Sequence, residues 1–423
     1  MLQVKFYDIA DVDDSLLKFA VIISKSSSQI SHSRVGTRPK DAATLCNTAE
    51  PRDICHSRQS PNGHAGTSAW IIARGDKWVF CKHKERDTYE IPGGHRESGE
   101  SIIEAAKREL WEETGAVGFE IEPVCVYSVT GQNNINQTGE ESFGLLCFAR
   151  ITEFSGRLEH EIEKVVLTDE LPNNWTYPLI QPLLIKEFER REERAAYKSI
   201  QSAAKQTIEY IRRVIKPGMN LAEVRGLCEA KLLELGADSF WYWDIGAFVF
   251  AGDETAVSVS GKKYATSDRL IDSSDIITID LSPQSGNIWG DYARTVIIED
   301  GIVINEIESI RNTEWKNGLL MEERLHRELL DYASLDTTFE ELYYHMNEYI
   351  AQNGFINLDF MGNLGHSIVK SKNDRIYIEK GNSVKLGDAE YFTFEPHISI
   401  PNSRYGYKKE NIYYFDKEEL KEL

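Results

Sequence analysis

Apolar and polar positions change rhythm several times along the chain, and the rhythm sketches its elements. Lys18 to Ser24 (KFAVIIS) is an apolar run of strand length. From Lys25 to about Ser68 the pattern lapses, with no aromatic residue and only the scattered aliphatics Ile30, Val35, Leu45 and Ile54. Residues 26–68 are therefore expected to be a long loop or a disordered insertion. Periodicity returns at Ala69 to Lys82 (AWIIARGDKWVFCK), which reads as two strands around a Gly75-Asp76 turn. Either FAVIIS or AWIIA could serve as the same early strand. Tyr89 to Gly94 (YEIPGG) is a short strand ending in turn-forming glycines. Ser101 to Thr114 is rich in strong helix formers and Gly115 supplies a stop. Val124–Thr130 and Phe143–Ile151 read as strands, and Leu183–Arg191 as a closing helix.

The run Lys186 to Lys198 (KEFERREERAAYK) is strongly charged, and a domain boundary is expected there, separating residues 1–190 from 195–423. Beyond it, helices are expected over about Ala195–Ile215, stopped by Pro217-Gly218, and over Leu221–Leu235, ended by Gly236. The remainder is rich in strand patterns.

Chemistry enters first on the Ser101–Thr114 helix. Glu109, Glu112 and Glu113 stand at i, i+3 and i+4, so their carboxylates share one face. Such a concentration of charge costs stability unless a hard cation such as Mg²⁺ or Mn²⁺ offsets it. Gly94 to Ala116 also satisfies every specified position of G-x5-E-x7-R-E-U-x-E-E-x-G-U, where U is apolar. The front of the chain thus resembles a Nudix hydrolase over residues 1–190. The resemblance implies an α/β/α sandwich that uses Mg²⁺ or Mn²⁺ on Glu109, Glu112 and Glu113 to hydrolyse a nucleoside diphosphate linked to a further group, most plausibly a nucleoside triphosphate. Arg108 would orient a neighbouring carboxylate. Gly94 and the basic residues Lys82, His83, Lys84 and Arg86 could meet a polyphosphate, although a solvated edge reads equally well. A further acid outside the motif is expected among Glu140, Glu141, Glu159, Glu161 and Glu163.

The second informative stretch is Ile276 to Ile297 (IITIDLSPQSGNIWGDYARTVI), in which a hairpin would bring Asp280 and Asp291 to one end of a sheet. Downstream stand His366 in LGHSI, Glu395 in FTFEPHI and Glu410 in GYKKENIYYF. Asp, Asp, His, Glu, Glu in this order resembles the pita-bread metallopeptidases, the family of methionine aminopeptidase, prolidase and creatinase. The resemblance covers about residues 195–423 and implies an α+β domain holding two divalent metals, Mn²⁺, Co²⁺, Fe²⁺ or Zn²⁺. Asp280 would ligate one, Asp291 and Glu410 would bridge, and His366 with Glu395 would complete the other. Its reaction would be hydrolysis of a peptide or amide, with Glu395 as ligand and proton carrier. Two features depart from the family. Lys262-Lys263 and Asn373 stand where substrate-binding histidines are usual, and His397 replaces the glycine after Glu-Pro. His397 could stand in for one missing group. A module that binds a peptide or protein without cleaving it is the competing reading. Trp241, Tyr242 and Trp243 could line a substrate pocket or simply fill a core.

Composition narrows the remaining classes. Asp and Glu number 68 against 48 Lys and Arg, giving a net charge of −20, which argues against duplex nucleic acid as a partner. Nucleotides are not excluded, since metal ions can carry their phosphates. The six cysteines form no C-x-x-C pair and read as reduced thiols. His32, Cys46, Cys55, His56 and His64 match no compact zinc spacing. With no signal-like start and no apolar run long enough to span a bilayer, a soluble cytoplasmic protein is expected.

Overall fold

The computed structural model describes residues 2–32, 76–131, 139–155, 158 and 162–423, and it divides into two compact units, Met1–Glu193 and Arg194–Leu423. The AWIIA segment, Cys46, Cys55, His56, His64, Glu159 and Glu161 lie outside the described residues. Among the described residues no helix is long and apolar enough to cross a membrane.

The first unit is built on one mixed sheet. Its strands are β1 (Gln3–Tyr7), β2 (Leu17–His32), β3 (Lys77–His83), β4 (Tyr89–Glu90), β5 (Gly93–His95), β6 (Ala116–Thr130), β7 (Ser142–Phe154) and β8 (Ile162–Thr168), with helix α1 (Ile102–Thr114) between β5 and β6. The order is β1-β6-β7-β2-β3-β4, with β5 added to β2 and β8 to β3. Among the described strands of this sheet only β2 and β7 pair in parallel. Alternation along the strands explains the layers. Ala20 and Ile22 face α1 and its Ile102, Ala105, Ala106 and Leu110. Ile23, Phe80, Leu146 and Phe148 face the opposite way, onto Leu184, Ile185 and Phe188 of helix α2 (Gln181–Val214). The result is the expected α/β/α sandwich.

Two expectations need correction. Residues 26–32 are not loop, because β2 continues to His32, pairing Ser31 with Glu153 and His32 with Phe154. The long neighbouring strand β7 offers backbone partners whatever the side chains are. The helices expected over Leu183–Arg191 and Ala195–Ile215 are one continuous helix. Its charged stretch contains no glycine or proline, and Glu187 accepts from both Arg190 and Arg191 at helical spacing, so charge here supports the helix.

The second unit is α+β. After α2 come α3 (Leu221–Glu234), β9 (Ser239–Phe240), β10 (Ala247–Ala251), β11 (Asp275–Leu281), β12 (Pro283–Ser285), β13 (Ile288–Trp289), β14 (Tyr292–Glu299) and β15 (Ile302–Ile304). Then follow α4 (Thr313–Tyr332), α5 (Phe339–Gln352), β16 (Ile356–Asn357), β17 (Ser367–Ile368), β18 (Tyr391–Phe394), β19 (His397–Ser399), β20 (Tyr407–Lys408), β21 (Asn411–Asp416) and β22 (Glu419–Glu422). The sheets run β10-β11-β14-β15, β13-β12-β9, β16-β19-β20 and β17-β18-β21-β22. On β11, Ile277, Ile279 and Leu281 enter a core shared with α2 and α3. Thr278 and Asp280, of opposite parity, line a cavity. A second core joins α4 and α5 to Phe392, Phe394 and Tyr413.

Candidate functional site

The two acidic constellations lie in separate units. In the first, Ser101 caps α1 by a capping box with Glu104, and Gly115 closes it at φ 69°, so the helix begins and ends where its sequence dictates. Arg108 organises the face. Its Nη1 donates to Glu109 at 2.8 Å and Glu112 at 3.2 Å, and its Nε to Glu100 at 2.9 Å. Its Nη2 donates to Glu100 and to the His95 carbonyl. Glu113 accepts from the Gly93 N–H at 3.0 Å. A Cβ at Gly94 would lie 2.1 Å from Glu109 Oε1, so any larger residue there would push the end of that side chain out of its present place. Burial lifts the Glu109 carboxyl above its ordinary range, against the pull of Arg108. Lys82 spends its charge on Glu163 and Asp87, at 3.0 and 3.3 Å, and Arg86 lies 3.9 Å from Glu90. Glu141 accepts from Tyr7 and Ser128.

In the second unit, β11 and β14 pair antiparallel with Asp280 opposite Ala293, which sets Asp291 beside Asp280. Glu410 arrives from the junction of β20 and β21. Ligand oxygens of Asp280, Asp291 and Glu410 all lie within 4.8 Å of one another, the only such group among the described residues. Glu410 is fully buried and neither of its oxygens meets a hydrogen-bond donor. Burial first, and then the neighbouring carboxylates, push Asp291 and Glu410 far above the usual carboxylate range.

His366 completes the picture. Its Nδ1 lies 3.1 Å from the Ser367 carbonyl, which can only accept, so Nδ1 carries the ring proton. The bare Nε2 then faces Asp291 Oδ2 at 3.6 Å and Glu395 Oε1 at 3.9 Å. Burial, followed by the charge of Arg375, lowers this imidazole to about 3, so it is neutral. A lone pair directed at carboxylates is unfavourable unless a cation sits between them. The buried, donorless Glu410 makes the same demand. This donor set of carboxylates and one imidazole fits divalent metal.

Two residues of the cavity escape sequence reasoning. Lys408 Nζ donates to Asp280 Oδ2 at 2.5 Å and lies 3.2 Å from Glu395 Oε2. Burial opposes its charge, but Asp280, Glu395 and Glu410 hold the ammonium well above its usual range. It stands two residues before Glu410, and strand alternation alone could have placed it on the same face. Arg375 also lines the cavity, of about 520 Å³, with its guanidinium 5.1 Å from the centre of the Trp241 ring. No sequence pattern marks it.

The other singled-out residues divide. Glu395 lines the cavity and its carboxyl is lifted by burial to about 7, against Lys408. His397 lines it too, with Nε2 donating to the Thr255 carbonyl at 2.7 Å. Trp241 and Tyr242 line the cavity, Trp241 while nearly fully buried, so the pocket and core readings both hold for it; Trp243 is exposed. Asn373 is exposed, as are Lys262 and Lys263.

Comparison with known proteins matches residues 195–417, more than half of the chain, to metallopeptidase family M24, and residues 63–183 to the NUDIX domain. The second match begins after β1 and β2, which nevertheless belong to the same sheet. A curated Bacillus subtilis relative, "Putative 8-oxo-dGTP diphosphatase YtkD", is 36% identical over 107 residues, which span 25% of this chain and 63% of that protein. Among solved structures, an X-Pro aminopeptidase from Thermotoga maritima has 21% identity over 53% of this chain and 58% of its own, with a TM-score of 0.44. A prolidase from Pyrococcus furiosus has 19% identity over 57% and 67%, with a TM-score of 0.46. The chain thus spans under two thirds of the first two of these relatives. By the extent of its longer match it belongs to metallopeptidase family M24, and it carries a NUDIX domain ahead of that region.

Proposed function

We propose that the chain is a bifunctional metal-dependent hydrolase. Its first unit would hydrolyse a nucleoside triphosphate or related nucleoside diphosphate derivative, and its second a small peptide or amide. Glu109, Glu112 and Glu113 would hold Mg²⁺ or Mn²⁺. Asp280, Asp291, His366, Glu395 and Glu410 would hold two divalent transition metals. Bound there, such ions would neutralise substrate oxygens and make water acidic enough to serve as a nucleophile near neutral pH.

The chain's own residues supply the rest. Arg108 keeps Glu109 and Glu112 aimed together before substrate arrives. In the second unit Lys408 engages Glu395 Oε2, which leaves Oε1 to take up and return a proton at the scissile amide. His397 donates through Nε2 to the Thr255 carbonyl and presents Nδ1 only as an acceptor. It therefore replaces a missing donor poorly, and activity on ordinary methionyl or Xaa-Pro peptides should be weak.

The observation that carries the metal reading is Glu410, buried beside two other carboxylates with no donor for either oxygen. One lysine faces four carboxylates, Asp280, Asp291, Glu395 and Glu410, and cannot balance them. A second reading, a binding module without hydrolysis, draws on that same lysine, whose ammonium already joins Asp280 to Glu395. Elemental analysis of the full-length protein with its box glutamates replaced, alongside a screen of dipeptides and amides, decides between them. At least one tightly held transition metal and turnover of a small amide are expected. Less than one metal per chain and no turnover would leave the binding module.

A further inference from the structure

Neither oxygen of Glu410 meets an N–H or hydroxyl donor, whereas its main chain is firmly held. Three backbone bonds surround it. The Glu410 N–H donates to the Ala293 carbonyl at 3.0 Å. The Glu410 carbonyl accepts from Arg294 Nη1 at 2.8 Å. The preceding carbonyl, of Lys409, accepts from His326 Nε2 at 3.1 Å. The first two partners belong to β14, the strand that follows Asp291. The third comes from α4, none of whose residues lines the cavity.

His326 is held in one orientation. Because the Lys409 carbonyl can only accept, Nε2 bears the proton, and Nδ1 accepts from the Tyr413 hydroxyl at 2.7 Å. The Asn411 amide lies 3.4 Å from the same hydroxyl and also donates to Glu422, while its oxygen accepts from Arg294 Nη2. The imidazole is 4% exposed and meets the ring of Phe394, the residue before Glu395, edge-on at 5.1 Å. The ring cannot turn without leaving a buried carbonyl unpaired, which is costly.

Resting on the metal reading above, we propose that His326 is a positioning residue for Glu410: by its bond to the Lys409 carbonyl it sets the carboxylate that the second-unit metals need. Without that bond the Lys409–Glu410 peptide is free to tilt about its remaining contacts. The carboxylate at the end of the side chain then leaves the place shared with Asp280 and Asp291. His326 touches no metal and no substrate, so its effect falls on metal affinity.

The test uses full-length protein in excess Mg²⁺, which keeps the oxygen-only box of the first unit occupied, titrated with Co²⁺ and followed by cobalt absorption, with thermal melts in parallel. His326→Leu should weaken Co²⁺ binding about 10- to 100-fold, the usual cost of losing an outer partner of a metal ligand. His326→Gln, whose amide N–H can reach the place of Nε2, should stay within about threefold of wild type while melting as low as the leucine variant. Equal losses of affinity in both variants, in step with their melting temperatures, would make His326 a packing residue and overturn the proposal. Should His326→Leu fail to fold, Tyr413→Phe decides, since it keeps the ring and frees the tautomer. A several-fold loss of affinity is expected there, and no loss overturns the proposal. If wild type itself binds no Co²⁺ in Mg²⁺, the metal reading has failed, and not this assignment alone.

Discussion

The three glutamates of the first unit come from little more than one turn of α1, and each has a protein donor: Arg108 for Glu109 and Glu112, the Gly93 N–H for Glu113. The carboxylates of the second unit come from strands far apart in the chain, and Glu410 has no donor at all. The helical cluster is therefore tolerable without a cation. The strand cluster is not tolerable as bare anions. Its carboxyls either take up protons or bind metal, which ties metal binding to the integrity of the site.

Removing a member from each cluster tests that contrast where the effects are largest. Asp291→Ala takes away a carboxylate grouped with Asp280 and Glu410 that also lies 3.6 Å from His366 Nε2. Losing an outer partner of a ligand costs about 10- to 100-fold in metal affinity, so losing the ligand itself should cost more, and second-unit metal should vanish on dialysis. Retention of wild-type metal content would break the comparison. Glu112→Gln should keep the fold, because Arg108 still holds Glu100 and Glu109. It should lower Mg²⁺-dependent pyrophosphatase activity on the order of 10²-fold, since each 1.36 kcal/mol of lost transition-state stabilisation is tenfold. Unchanged turnover of a good nucleotide would remove α1 from the chemistry.

The same contrast decides how much was legible in the sequence. A helix writes its face into neighbouring positions, so Arg108, Glu109, Glu112 and Glu113 declare themselves in a single stretch, together with the cap Ser101 and the stop Gly115. Asp280 and Asp291 were legible as a pair because one hairpin joins them. His366, Glu395 and Glu410 are legible only through family resemblance, since their meeting depends on many intervening elements rather than on one local pattern. Lys408 is not legible, although it alternates with Glu410, because nothing local distinguishes it from the neighbouring Lys409. Elsewhere composition marks a place without fixing the backbone there. The charged run 186–198 does contain the division between the two units, but its ion pairs carry one helix through it, and the weakly apolar residues 26–32 still find a strand edge to pair with.

Two glycines offer a smaller and more selective probe. A Cβ at Gly94 would meet the end of the Glu109 side chain, which can swing away. A Cβ at Gly406 would meet the Thr255 carbonyl oxygen at 2.2 Å and His397 Nε2 at 2.7 Å, and the backbone cannot yield. Gly94→Ala should thus lower pyrophosphatase activity with little change in melting. Gly406→Ala should destabilise the second unit by about 1–3 kcal/mol, the usual cost of overpacking. Calorimetry paired with a pyrophosphatase assay separates the two outcomes. A Gly94→Ala variant that melts early but remains active would show the box to be structural.

The smallest effect is expected where the first unit is interrupted. The ladder between β2 and β3 ends at Ser26 opposite Lys77, so the chain between them closes what is formally a hairpin. An antiparallel pair needs only a short connection. Shortening a flexible one changes closure entropy slowly, by about 0.6 kcal/mol for each halving of its length. Deleting residues 33–68 spares β2 up to His32, and with it the pairing of Ser31 and His32 to β7. It also leaves residues 69–76 to make the connection. Nucleotide hydrolysis should stay within about twofold of the parent, and the melting temperature should move by no more than about 2–4 °C, the shift that 1 kcal/mol gives a unit of this size. Both are read by one melt and one steady-state assay. A shortened protein that does not fold would mean that the deleted residues supply part of the core, and the view of the first unit as an ordinary sandwich with an insertion would be wrong.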